Sequence, residues 1–185
     1  MKLYSSILTI LFCALSACAI HHNGDDTAFA YADQLKALTG TYQNRSESSK
    51  GPDPFPQYLS RILWADEDLE AHQSIDKIRV KLVDQNTLQA DALAVDGQAL
   101  KSSQFVRGKH FQIRNGQLEI NVQNEVAGMR SGEVLVGAHQ KSTLLGLDTK
   151  GNGKVRKKES STGLVFLFLP VHLGQEIDTR FVKLE

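Results

Sequence analysis

Cysteine, proline and tryptophan are scarce in this chain: two Cys, four Pro and one Trp among 185 residues. Cys13 and Cys18 both lie near the start, so the rest of the chain carries no thiol. This excludes an internal disulfide framework and a cysteine nucleophile, and leaves stability to an ordinary apolar core. Neither sign of charge dominates, with 21 Lys and Arg against 21 Asp and Glu. The basic surplus that draws proteins to nucleic acid is therefore missing, and no nucleic-acid partner is expected. There is no G-x-S-x-G elbow and no glycine-rich phosphate loop. Of the six histidines, His21 and His22 are adjacent, while His72, His110, His139 and His172 stand alone. None has the His-x-x-x-His or His-x-His spacing that puts two imidazoles on one face, so no metal site is expected. No catalytic residue and no cofactor are expected either.

What is present begins with an N-terminal segment unlike the remainder. Lys2 precedes an apolar stretch at 7–15, which passes through small residues and turns polar at His21. The stretch is about half the roughly 20 residues a spanning helix needs, and it reads as the apolar part of a secretory signal. It ends in Leu15-Ser16-Ala17-Cys18, which resembles the lipobox of bacterial lipoproteins at all four positions. An ordinary signal with an A-x-A-like cleavage site is the plainer alternative. The resemblance implies a diacylglyceryl group on the Cys18 sulfur, cleavage before Cys18 that removes 1–17 with Cys13, and acylation of the new amino group. One acyl chain holds a protein to a bilayer only marginally, whereas two or three hold it firmly. Ala19 follows the cysteine where an aspartate would mark a different destination. The implied location is the cell envelope, at the outer membrane facing the periplasm, with the membrane as partner through the anchor. Residues 18–26 are then a lipidated tether and 27–185 a single domain; the mature chain 18–185 has net charge −1, since 1–17 takes one of 21 basic residues and none of 21 acidic ones.

The domain begins with an expected helix, because Ala28, Tyr31, Leu35 and Leu38 recur at three- and four-residue spacings and Thr39-Gly40 ends the pattern. Beyond Gly40 and a Ser-, Gly- and Pro-rich loop at 46–56, short strands alternate with turns. Ile78, Val80 and Leu82 alternate with Lys77, Arg79 and Lys81, and Leu118, Ile120 and Val122 alternate with polar neighbours. Asn115-Gly116 predicts a two-residue hairpin joining 108–114 to 117–123. Further turns are expected at Asp84-Gln85-Asn86, Asp96-Gly97, Arg107-Gly108, 128–132 and Gly151-Asn152-Gly153. Strands joined this tightly form an antiparallel meander, since parallel pairs need long crossovers. The expected fold is mainly β, with about eight strands closing into a barrel that leaves no sheet edge exposed. A β-sandwich is the alternative. The order of helix, Leu38-Thr39-Gly40-Thr41-Tyr42 and meander resembles the calycin group that includes the lipocalins. That group opens its first strand with G-x-W. The resemblance implies that Gly40 and Tyr42 form the barrel-opening motif, with Tyr42 in the tryptophan's place and Arg180 packed over its ring.

Four further segments invite a chemical reading. Residues 148–159 match a calcium-binding EF-hand loop in part, but Lys150 replaces a carboxylate at the third position and the flanks read as strands, which favours a hairpin turn. Lys154, Arg156, Lys157 and Lys158 could meet anionic headgroups, yet their alternation beside a glycine-rich turn predicts solvated charges on an exposed strand. Asp66, Glu67, Asp68 and Glu70 read as a solvated acidic run. The stretch 163–171 is apolar on both faces, and Phe166 and Phe168 are candidates for the wall of an apolar ligand cavity; the alternative is outward packing on the N-terminal helix. Tyr58, Leu59, Ile62 and Leu63 have helical spacing and suggest a short amphipathic plug across one barrel end. The function these features imply is a non-enzymatic envelope lipoprotein that binds a hydrophobic or amphipathic, lipid-like small molecule. The rival is a solid-cored interaction, assembly or inhibitor lipoprotein, whose protein partner the sequence does not identify.

Overall fold

The computed structural model describes residues 19–23, 28–31, 34–47, 57–127, 135–165 and 169–184. The strands are β1 (Ala19–Asn23), β2 (Phe29–Ala30), β3 (Gly40–Gln43), β4 (Lys77–Asp84), β5 (Thr87–Leu93), β6 (Ala99–Val106), β7 (Gln112–Arg114), β8 (Gln117–Ala127), β9 (Leu135–Asp148), β10 (Gly153–Val165) and β11 (Leu169–Phe181). Between β2 and β3 lies one 3₁₀ turn, Leu35–Leu38, and between β3 and β4 lie two short helices, α1 (Ser60–Leu63) and α2 (Leu69–Ser74). Seven strands form one sheet in the order β1-β11-β10-β9-β8-β7, with β2 also on β9, and four form a second in the order β3-β4-β5-β6. All pairings are antiparallel except that of β1 with β11.

The turns that join neighbours follow from local chemistry. Asn115 (φ 51°) and Gly116 (φ 75°) both take positive φ, as a two-residue turn matching the strand twist requires, and β7 pairs with β8 across it. The β4–β5 and β5–β6 turns are held by Asp84 and Asp96, whose carboxylates accept from the amides of Asn86 and Gln98. Asp148 does the same between β9 and β10, accepting from Lys150 N and Asn152 N at 2.8 Å, with Gly151 at φ 83°. The loop that partly matches a calcium site is therefore a hairpin turn whose carboxylate is occupied by backbone amides.

The core lies between the two sheets. Val155 and Phe181 of the seven-stranded sheet pack with Tyr42, Ile78, Ala90 and Ala92 of the four-stranded sheet, and Leu59 and Trp64 close over them. A second cluster joins Leu35 and Leu38 to Leu88, Phe111 and Leu118. At one margin the backbones of the sheets meet: Gln43 N donates to Val182 O and Leu184 N to Thr41 O. At another, Arg107 and Phe111 form an isolated bridge.

The expectation of a mainly β fold is met, the closed barrel is not seen among the described residues, and two further expectations require correction. The described residues form two antiparallel-rich sheets of seven and four strands, an arrangement that fits the sandwich alternative, and no single closed barrel of eight strands is found among them. The helix expected from Ala28 to Leu38 is replaced by β2 and the 3₁₀ turn. Leu35 and Leu38 are buried, and their i, i+3 spacing is met by that tighter turn, whereas Tyr31 is exposed and Phe29, off the supposed stripe, pairs with Asp148 on β9. On β4, Ile78 is fully buried but Leu82, in register with Leu88 near the end of the strand, is exposed; the β4–β5 register slips just beyond it. Residues 19–23, within the stretch read as a tether, add to the edge of β11.

Candidate ligand cavity

A cavity of about 510 Å³ lies between the sheets. Protein interiors seldom hold voids larger than a water molecule, so a space of this size needs a cause in the sequence. Two successive inward positions of β5 are alanines, Ala90 and Ala92, where strands of this kind carry large side chains. Gly153 of β10 brings the backbone close to the Tyr42 ring, where an added Cβ would lie 3.1 Å from a ring carbon. Of these, Ala90 faces the cavity with a single methyl group, leaving space that a larger side chain would fill. The remaining wall is apolar, with Val80, Leu88, Phe105, Leu118, Ile120 and Leu145 on strands of both sheets. Leu59, Ile62 and Leu63 border it from α1 and its start, so the short amphipathic segment expected there packs its apolar side on the cavity.

Polar groups collect at one end. Lys109 and His110, in the β6–β7 connection, line the cavity and are exposed. A second space of about 290 Å³ shares Lys109, His110, Phe111 and Ile120 with the first and adds Gln112, Arg114 and Glu119. His110 Nδ1 accepts from Val106 N at 2.9 Å, which leaves Nε2 as the ring's N–H donor. Its ring stands edge-on to Phe105. Elsewhere in the wall Tyr42 donates its hydroxyl to Leu38 O at 2.8 Å, and burial pushes its phenol up to about 12.

Behind the seven-stranded sheet is an ionic cluster. Lys154, predicted as a solvated charge, is fully buried and places Nζ 2.8 Å from Asp178. Arg156 grips the same carboxylate with Nε at 2.6 Å and a terminal nitrogen at 2.7 Å, and Phe29 lays its ring against both cations. Burial opposes ionisation of Asp178, but the hydrogen bonds and charges of Arg156 and Lys154 outweigh it and hold the carboxyl below its usual range. Lys158 pairs with Glu176, and Lys157 reaches Gln57. The basic segment is thus engaged within the sheet, because strand alternation sets it opposite the acidic residues of β11.

The histidines are occupied by ordinary structural contacts. His139 and His172 each meet a hydroxyl on β10, Ser161 and Thr162 respectively, at positions paired across the strands. His72 Nδ1 lies 3.0 Å from Ser60 Oγ, a contact the sequence did not suggest. Both residues are buried away from solvent, and Asn44 ties the same region together by binding Ser60 N and the carbonyls of His72 and Ile75. The Ser60 hydroxyl has no approach for a substrate, and the trio anchors α1 and α2 to β3. Among the described residues no group of His, Cys, Asp or Glu is arranged to hold a metal ion. The acidic run divides its work: Asp68 caps α2 by accepting from Ala71 N at 2.8 Å, and Glu67 pairs with Lys101.

Of the sequence candidates, Gly40 opens β3 at φ 146° and Tyr42 lines the cavity. Arg180, expected over the Tyr42 ring, binds Glu47 and approaches Asp148 at 3.9 Å; the cation set over that ring is Lys183, at 5.7 Å. Leu15, Ser16, Ala17 and Cys18, and likewise Phe166 and Phe168, lie outside the described residues. No described helix is long and apolar enough to cross a membrane. Scans of protein-family models, curated proteins and solved structures found no match to this chain.

Proposed function

We propose that this chain is a lipid-anchored cell-envelope lipoprotein whose β-domain binds a hydrophobic or amphipathic small molecule without transforming it. The observation that carries the binding reading is the apolar cavity of about 510 Å³, within the roughly 300–1,000 Å³ of small-molecule pockets. In this reading the two sheets are arcs of a calycin-like barrel. Consecutive strands β3 to β6 and β7 to β11 are neighbours in order, and the main-chain bonds between 182–184 and β3 support closure at one side. The solid-cored interaction protein is disfavoured by the same cavity. Native mass spectrometry of the protein purified from its membrane tests the reading. A co-purified small-molecule mass is expected, and Ala90→Trp, which projects an indole into the space, should remove it. A ligand-free mass in the unsubstituted protein would sink the binding function.

The anchor rests on Leu15-Ser16-Ala17-Cys18. With two or three acyl chains on Cys18, membrane attachment is firm without any spanning element. Labelling cells with radioactive palmitate should mark the protein, and Cys18→Ala should abolish both label and membrane attachment. Continued attachment of the unlabelled variant would refute the anchor.

A further inference from the structure

The larger cavity has an uneven distribution of charge. Its lining includes Lys109 and His110 but no aspartate or glutamate; Lys154 also borders it, with its ammonium turned to the cluster behind the sheet. Lys154 is committed to Asp178, whereas no described acidic side chain pairs with Lys109, which sits exposed where the apolar cavity meets the smaller space. Beside it His110 has its Nδ1 occupied by the Val106 amide and so carries a proton on Nε2. Arg114 adds a second cation to the smaller space, partly offset by Glu119, whose carboxylate lies 3.0 Å from it. One end of an otherwise apolar chamber therefore presents an ammonium and an N–H donor, with no carboxylate on the wall of the larger cavity to repel an anion.

Resting on the binding function proposed above, we infer that the occupant is a single-chain amphiphile with an anionic head, its chain between the sheets and its carboxylate or phosphate at Lys109 and His110. A volume of about 510 Å³ suits one drug-sized molecule and is too small for a two-chain phospholipid. A neutral head would gain no attraction from the ammonium, and a cationic head would be repelled by Lys109.

Competition against a fluorescent apolar probe tests this on the purified full chain, with dodecanoate, dodecyl phosphate, dodecanol and dodecylammonium as competitors below their micelle concentrations. Both anions should bind about fivefold more tightly than the alcohol, the upper range for an exposed ion pair, and the cation should bind least. Lys109→Met should erase the preference for anions, so that both anions and the alcohol compete about equally on that variant. The preference should also shrink as salt is raised. Preference for only one anion would assign the head as carboxylate or phosphate within the same inference. Equal binding of all four competitors, or an anion preference that survives Lys109→Met, would overturn the inference while leaving the cavity's function standing. Failure of every competitor and of the probe to bind would overturn both.

Discussion

Asp178 holds two cations at once in a place with no access to water, and this makes its removal more damaging than the removal of either partner. Without the carboxylate, the fully buried Lys154 loses the counter-ion 2.8 Å from its ammonium beneath Phe29, while Arg156 beside it keeps partial exposure and Glu176 at 3.7 Å. Breaking a buried pair in this way costs about 3–5 kcal/mol. Lys154→Met leaves Asp178 bound to Arg156 in a two-pronged contact and should cost clearly less than Asp178→Ala. Urea unfolding of the two variants checks the ranking, and the reverse order would show that Asp178 is not the hub. Lys154 and Arg156 appeared in the sequence as alternating charges beside a turn, which is also how a solvated strand reads. The information that buries them is Asp178, more than twenty positions downstream, and Phe29, far upstream. Neither falls within any window over which periodicity is counted.

At the scale of elements, hairpins were legible and the N-terminal helix was not. The turns at Asp84, Asp96, Asn115-Gly116 and Asp148 are fixed by a side chain accepting from an amide two residues on or by a residue that tolerates positive φ. Such causes act within four residues, so four residues reveal them. The stretch 28–38 offered only a four-member apolar spacing, and β2 outcompetes it by pairing Phe29 and Ala30 with Asp148 and Leu147. A helix that short has little intrinsic stability to resist such pairing. The α1 segment succeeded because Leu59, Ile62 and Leu63 are both locally periodic and in contact with the cavity. Of the cavity itself, the alternating alanines of β5 were visible in principle, since small residues at inward positions signal open space. Lys109 and His110 carried no such signal, as a loop lysine beside a histidine is common on any surface.

For the whole molecule, balanced charge means that stability against pH is set by a few buried groups. Asp91 accepts from Gln89 and Ser102 and meets Lys81 at 3.1 Å; burial alone would raise its pKa, but these partners prevail and hold it at about 2. A carboxyl whose folded pKa lies below its unfolded one contributes fully above the unfolded value and loses that contribution as protons are added. Stability should therefore hold from neutrality down to about pH 4 and fall between the ordinary 3.8 and about 2, with Asp178 contributing in the same direction. Unfolding midpoints measured across this range should drop, and Asp91→Asn should flatten the decline by about 2 kcal/mol. An unchanged slope in the variant would remove Asp91 from this role. Tyr42 acts at the other extreme: its raised pKa adds stability that is lost as pH climbs from 10 towards about 12.

The pairing of β1 with β11 has a consequence for handling the protein. From Leu173 to Ile177 the outer edge of β11 is covered by residues 19–23, the only described chain on that side of it there. A version trimmed to begin at residue 24 would uncover a row of amides and carbonyls able to recruit the same edge of another molecule. The N-terminal strand thus covers an edge otherwise open to pairing between molecules, and a form that begins at residue 19 keeps that cover.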